Sequence, residues 1–274
     1  MNYIVGDIHG CFSDWIKLKE KIESRDSYAT FTLIGDIIDR GSEVAKMLRW
    51  AIENITPSGK YQMILGNHED EKIEWIRELL AMARIERDYE YALSCMYTDN
   101  YNFRASIIDG NITEAELAAI YDIFLELPLY KEIKYTKEGE EYTALIVHAG
   151  IVAALIDRNG KVRDYCLDQI FNTFTADGFI SPMKGRDILL WARNVDGYPS
   201  LEKTIVINGH TPTTSSFLIN YDAIPGKVLR KPNNINVDCG MVFKYGSDPT
   251  EAQAKGNLVA YCLETDEEIY AYED

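Results

Sequence analysis

The chain has only four histidines, and each follows a short apolar run with a glycine close by. The runs are Tyr3-Ile4-Val5, Phe31-Thr32-Leu33-Ile34, Gln62-Met63-Ile64-Leu65, Ala144-Leu145-Ile146-Val147 and Thr204-Ile205-Val206-Ile207. Their length and β-branched content predict buried strands rather than helices. Behind them come Gly6-Asp7-Ile8-His9-Gly10, Gly35-Asp36-Ile37-Ile38-Asp39-Arg40-Gly41, Gly66-Asn67-His68-Glu69, His148-Ala149-Gly150 and Gly209-His210-Thr211-Pro212. In a layered α/β sheet the carboxyl ends of strands converge on one edge, where ligands bind. Strands placed in this way bring Asp7, His9, Asp36, Asn67, His148 and His210 together.

That set offers imidazole and oxygen without thiolate, which suits Mn, Fe or Zn rather than Cu(I) or an iron–sulfur cluster. It is too large for one four-coordinate ion and suits two ions sharing a carboxylate. Asp7 or His210 alone would read as an ordinary turn or surface residue. The placement of all four histidines behind apolar runs argues for a metal centre.

The spacing also predicts helices. Phe12 to Glu23 carries Trp15, Ile16, Leu18 and Ile22 at near-helical intervals, and Glu43 to Glu53 repeats the theme through Val44, Met47, Leu48 and Ile52. The front of the chain reads β-α-β-α-β, the pattern of an α/β (α+β) fold built from crossover units. A helical insertion is expected at about 70–127, containing a helix that opens on the capping-box pair Thr113 and Glu116 and stops before Pro128. A hairpin follows over 131–135 and 142–147 with its turn at Gly139, and closing strands are expected at 235–237, 258–263 and 269–272. No linker or repeat interrupts the sequence, so residues 1–274 read as a single domain.

Composition narrows the function. With 28 basic against 44 acidic residues the formal net charge is −16, which disfavours long nucleic acid and anionic membrane. The five cysteines form no CxxC pair and read as reduced thiols. With no signal segment or apolar span, they place the expected setting in the cytoplasm. Oligomeric state and regulatory partners leave no mark in the sequence.

These strings resemble the calcineurin-like metallophosphoesterases, and more narrowly their phosphoprotein phosphatase branch, marked by GDxHG, GDxxDRG and GNHE in that order. His148-Ala149-Gly150 departs from the HGG of eukaryotic members. Gly209-His210-Thr211-Pro212, Leu189-Leu190-Trp191-Ala192-Arg193 and Val237-Asp238-Cys239-Gly240 look like segments of bacterial and phage members. The resemblance implies a four-layer fold with a central β-sandwich flanked by helices, a choice that the crossover pattern leaves open against one doubly wound sheet.

The resemblance also implies roles. Asp7 and His9 look like ligands of a first metal, Asp36 like the bridge, and Asn67, His148 and His210 like ligands of a second. His68 looks like the general acid, oriented by Asp39. Arg40 and Arg193 look like phosphate clamps, with Asn67 also on the substrate side and Arg186 a rival to Arg193. The implied cofactors are two divalent ions, Mn first with Fe or Zn as substitutes. The implied reaction is in-line hydrolysis of a phosphate ester by a hydroxide held between the ions.

The leading substrate class is a phosphoprotein, as for a serine/threonine protein phosphatase, or a small phosphate ester. A symmetrical diadenosine tetraphosphate hydrolase is the alternative; those enzymes usually lack the acid at Asp39 and carry Asp where Glu69 stands. A non-catalytic scaffold is a remote reading, because scaffolds lose ligands and here each expected ligand is present.

Overall fold

The first strand, β1 (Asn2–Val5), displays the layering of the molecule. Tyr3 and Val5 point into one apolar cluster and Ile4 into another, as the two-residue period of a strand requires. The computed structural model describes residues 1–97, 102–174, 180–193 and 201–273.

After β1 come α1 (Phe12–Glu23), β2 (Thr30–Leu33), α2 (Val44–Asn54) and β3 (Tyr61–Met63). Four helices follow: α3 (Asn67–Glu86), α4 (Tyr89–Cys95), α5 (Phe103–Asp109) and α6 (Glu114–Glu126). Next are β4 (Tyr130–Lys137), β5 (Glu140–Val147), β6 (Ile170–Phe174), β7 (Ile180–Lys184), α7 (Gly185–Trp191), β8 (Thr204–Asn208), α8 (Ser216–Ile219), β9 (Leu229–Lys231) and β10 (Asn234–Asn236). The chain closes with α9 (Glu251–Ala254), β11 (Val259–Cys262) and β12 (Glu268–Tyr270).

The long strands form two five-stranded sheets, ordered β12-β11-β1-β2-β3 and β4-β5-β8-β10-β9. In the first, the parallel trio β1-β2-β3 has β11 and β12 on one side, each antiparallel to the strand before it; in the second, the trio β5-β8-β10 has one antiparallel strand on each side. Between the sheets lies a cluster containing Ile4, Ile34, Ile64, Ala144, Ile146, Ile207 and Ile235. Tyr3, Phe31 and Leu33 pack outward against helices α1, α2, α3 and α6, while Leu145, Val147 and Val206 pack outward against Leu155, Ile188 and Leu189. The fold is therefore a helix–sheet–sheet–helix sandwich.

The hairpin β4–β5 turns through Glu138 (φ 52°) and Gly139 (φ 82°), the two-residue turn whose twist suits a hairpin. Helix α6 opens with the expected capping box between Thr113 and Glu116. The hairpin β6–β7 and strand β9 lie outside the expected elements. The helical stretch joins the main core: Trp75, Leu79, Phe103, Ile107, Leu117 and Phe124 belong to the same buried cluster as Phe31.

Trp75 is buried, and its ring meets Phe103 edge-on at 5.4 Å between centroids. Trp75→Ala is expected to lower unfolding stability by about 3–5 kcal/mol in urea titration. A loss below about 1 kcal/mol would mean that α3 and α5 contribute little to the core that covers the first sheet.

Candidate metal centre

Three parallel strands of each sheet open onto one edge. Behind β1 stand Asp7 and His9, behind β2 Asp36, Asp39 and Arg40, and behind β3 Asn67 and His68 in the first turn of α3. From the second sheet come His148 behind β5, His210 behind β8 and Asp238 behind β10. All of these are buried except Arg40, which lies exposed at the rim.

The loops are tightly bent. His9, Asp36, Asp39, Arg40 and His210 adopt left-handed backbone with φ of 47°, 50°, 67°, 65° and 65°. A side chain in that region costs of order 1–3 kcal/mol, and such strain concentrates at functional sites. At Gly66 a Cβ would come within 2.4 Å of the Asp36 amide nitrogen, so only glycine lets the α3 loop approach the Asp36 loop.

Asp36 is the hub. Its Oδ1 lies 3.4 Å from His148 Nε2; its Oδ2 lies 3.6 Å from His9 Nε2 and 3.9 Å from His68 Nε2. The backbone N–H of His68 donates to Oδ1 at 3.1 Å. Two triads have donor atoms within 4.8 Å of one another, namely His9, Asp36, His68 and Asp36, His148, His210. Asp7 is in neither triad; its carboxylate accepts the backbone N–H of His210 at 3.1 Å.

The second triad makes a specific demand. His148 Nδ1 faces the Ile34 carbonyl at 2.8 Å, so it carries that ring's proton in the neutral form and leaves Nε2 with a lone pair. Nε2 stands 2.9 Å from Asn67 Oδ1, which is itself 2.9 Å from His210 Nδ1. Groups this close need a proton or a cation between them, and an ion bound there takes the proton's place. Spacings of about 3 Å are those between neighbouring ligands when each bond to the ion is about 2.1 Å. His9 is prepared in the same way: Nδ1 faces the Ile38 carbonyl at 2.9 Å and Nε2 looks into the site, 2.6 Å from Arg40 Nη1. Backbone carbonyls commonly fix ligand histidines in this manner. The donor set and its geometry therefore fit divalent ions.

The electrostatics agree. Burial disfavours the charge on Asp36, but His148, His68 and His9 outweigh it and hold the carboxyl well below its usual range. Burial also opposes protonation of His148, and the carboxylates of Asp36 and Asp7 overcome this, lifting it to about 10. His9 and His210 are pushed down, by burial first and then by Arg40 and His148 respectively. Burial and Asp238 push the Asp7 carboxyl up; burial lifts Asp238 to about 6.

The remaining groups separate into inward and outward ones. His68 Nδ1 donates to Asp39 Oδ2 at 2.6 Å, leaving Nε2 toward Asp36. Arg193 is half-buried, its Nη1 donating to Thr211 Oγ1 at 3.3 Å. Burial lowers its pKa, and its charge is felt with those of Asp238 and Arg40. Arg186 is turned to Asp70, Nη1 donating to Oδ2 at 3.0 Å, which leaves Arg193 as the arginine beside the centre. Asp238 accepts the Gly240 N–H at 2.9 Å in a turn and is buried where its charge reaches Asp7.

Two supports were missed in the sequence. Glu69 accepts the N–H groups of Asp36 and Ile37 at 2.8 and 2.9 Å, so it holds the loop that carries the hub. Asn208, Asn234 and Asn236 form a buried ladder: Asn234 Nδ2 donates to Asn208 Oδ1, Asn208 Nδ2 to the Ala149 carbonyl, and Asn236 Nδ2 to the Thr211 carbonyl. Asparagine is depleted in strands, so three in β8 and β10 were a readable signal.

A family model for calcineurin-like phosphoesterases matches residues 3–239. The asymmetrical bis(5'-nucleosyl)-tetraphosphatase PrpE of Bacillus cereus (strain B4264) is 25% identical over 258 residues, covering 88% of this chain and 85% of the relative. The symmetrical bis(5'-nucleosyl)-tetraphosphatase of Hamiltonella defensa is 41% identical over 69 residues, a stretch spanning 25% of this chain and 24% of that relative. Among solved structures, a putative diadenosine tetraphosphatase aligns with TM-score 0.54 at 17% identity, covering 98% of this chain and 91% of that one. A protein serine/threonine phosphatase from Saccharomyces cerevisiae aligns with TM-score 0.52 at 16% identity, covering 100% and 80%.

With His148 lifted to about 10, an ion bound by its Nε2 must displace a proton throughout the neutral range. Metal affinity is expected to rise about tenfold per pH unit between pH 7 and 9, one proton released per ion at that site. Calorimetric Mn²⁺ titrations in two buffers of different ionisation enthalpy measure this. A pH-independent affinity would show that the ion does not bind at His148.

Proposed function

This chain belongs to the calcineurin-like phosphoesterase family, and from its site we propose a binuclear phosphomonoesterase of the serine/threonine protein phosphatase type. Asp7, His9 and Asp36 would hold one ion and Asp36, Asn67, His148 and His210 the other, with Mn the first choice. When bound, two such ions supply an acidified water and offset the charge of the phosphoryl group. Arg40 at the rim and Arg193 at the wall offer forked donors to the phosphoryl oxygens. The core shared between α3–α6 and the first sheet supports reading residues 1–274 as one domain. Among the described residues no helix is long and apolar enough to cross a membrane. Five free cysteines suit a reducing, cytoplasmic setting.

The observation that carries the substrate class is the buried pair His68–Asp39, with its 2.6 Å hydrogen bond on Nδ1 and Nε2 toward the centre. An alkoxide leaving from phosphoserine or phosphothreonine is too basic to depart unprotonated. A nucleoside diphosphate leaves as a weakly basic anion and needs no such acid. An anchored imidazole that donates from Nε2 is thus of most use to an alkyl phosphate.

One observation favours a second reading, the hydrolysis of a dinucleoside polyphosphate. Beside Arg40 opens a cleft of about 660 Å³ lined by Phe243, Tyr245 and Tyr272. The Arg40 guanidinium stands 5.4 Å above the Phe243 ring, and Tyr245 and Tyr272 both donate to Asp14, which fixes their rings as walls. Such aromatic walls suit a nucleobase, and the tetraphosphatase relatives point the same way.

Comparing kcat/KM in Mn²⁺ for a phosphothreonine peptide and for diadenosine tetraphosphate, on one enzyme preparation, decides between them. Faster peptide turnover is expected; faster dinucleotide turnover would reverse the assignment. His68→Asn is expected to lower kcat on the peptide by about 10²–10⁴ with metal content unchanged. Loss of metal in that variant would make His68 a ligand instead of an acid.

A further inference from the structure

One buried cation at the site has no role in the chemistry described so far. Lys72 is 3% exposed, an unusual state for lysine. It lies on α3 four residues beyond His68, so both side chains stand on one helix face. Its Nζ is 3.2 Å from Asp39 Oδ2, the same oxygen that accepts from His68 Nδ1 at 2.6 Å. On its other side Nζ lies 5.8 Å from the ring centroid of Phe103, which is itself buried. Asp39 is 0% exposed, and its second oxygen, Oδ1, has no hydrogen-bond partner among the described residues. The orientation of that carboxylate therefore depends on what grips Oδ2.

We propose that Lys72 is a positioning residue for the His68–Asp39 pair. Its ammonium holds Oδ2 in place, Oδ2 holds the Nδ1 proton of His68, and the ring is thereby aimed with Nε2 toward the departing oxygen. Lys72 is buried against Asp39, whereas Arg40 is exposed. The inference rests on the general-acid reading of His68. A bland alternative exists: a buried ion pair that only adds stability. Removing one partner of such a pair is strongly destabilising, so loss of stability alone does not separate the two roles. The two roles differ in what they do to leaving groups. A misaimed acid slows the departure of a basic alkoxide and leaves the departure of nitrophenolate, which needs no proton, nearly untouched.

The test compares wild type, Lys72→Met, Lys72→Arg and His68→Asn on a phosphothreonine peptide and on p-nitrophenyl phosphate, with metal content measured for each. Lys72→Met is expected to lower kcat on the peptide by about 10- to 100-fold and on p-nitrophenyl phosphate by less than about threefold, with KM and metal content unchanged. Lys72→Arg should recover most of the peptide rate. In the metal-free protein, the far-downfield Nδ1 proton expected for His68, assigned by its loss in His68→Asn, should move upfield or broaden in Lys72→Met. If the Met variant does not fold, Lys72→Gln takes its place in the same comparison. Equal losses on the two substrates, no loss, or an unmoved Nδ1 proton would each overturn the positioning role. If His68→Asn is itself indifferent to the leaving group, the acid reading falls. If His68→Asn is selective and Lys72→Met is not, only the role of Lys72 falls.

Discussion

The architecture hangs on one buried carboxylate. Asp36 has imidazole nitrogens of His148, His9 and His68 at 3.4, 3.6 and 3.9 Å around its two oxygens. Its carbonyl accepts the N–H groups of Ile8 and His9, and its own N–H donates to Glu69. The loops behind β1, β2, β3 and β5 therefore all meet at this residue. An ionised carboxylate removed from water costs several kcal/mol unless charge and hydrogen bonds compensate it. The strained loops, the glycine at position 66 and the fixed histidine tautomers are what such compensation requires in a small space. Burial and repulsion from Asp238 push the Asp7 carboxyl up and burial lifts Asp238 to about 6, a crowding of acids that two divalent ions would relieve.

Electrostatics on two length scales pull in opposite directions. The chain as a whole is strongly acidic, with formal net charge −16. Locally, Arg40 and Arg193 stand beside the candidate metal cluster, while acids such as Asp70 and Glu43 are occupied by Arg186 and by Ser13 and Lys46. Fixed positive charge is thus concentrated at one edge of a molecule that is otherwise acidic.

Much of this was readable before any coordinates. The apolar runs mark strands because parallel strands covered on both faces are apolar throughout, and the polar strings behind them mark the edge where ligands gather. What stayed hidden has physical causes. One sheet or two was undecided because a strand buried on both faces reads the same in either. The decision comes from distant pairings, such as β11 against β1 with Cys262 opposite Tyr3, and β4 against β5. Glu69 was read only as part of a motif, since nothing local shows that its carboxylate reaches across to the Asp36 loop. Arg193 was favoured only through the resemblance of its segment, and what turns its rival Arg186 aside is Asp70, far away in the chain. Lys72 was invisible for the opposite reason: a lysine on a charged helix is ordinarily solvated, and only the fold shows this one to be dry.

The pairing of β1 with β11 has a consequence for biosynthesis. β1 sits inside its sheet, between β2 and β11, yet β11, which completes its second side, is synthesised long after it, with Cys262 opposite Tyr3. Until then, Tyr3 to Val5 present an open row of backbone donors and acceptors beside a ready-made apolar face. An exposed edge of that kind invites pairing with other chains. Asp7 and His9 stand in the loop behind β1, so the strand that positions them is made early and completed late. The strand that leads into the Asp7–His9 loop is therefore paired on both sides only after β11, far along the chain, has joined it.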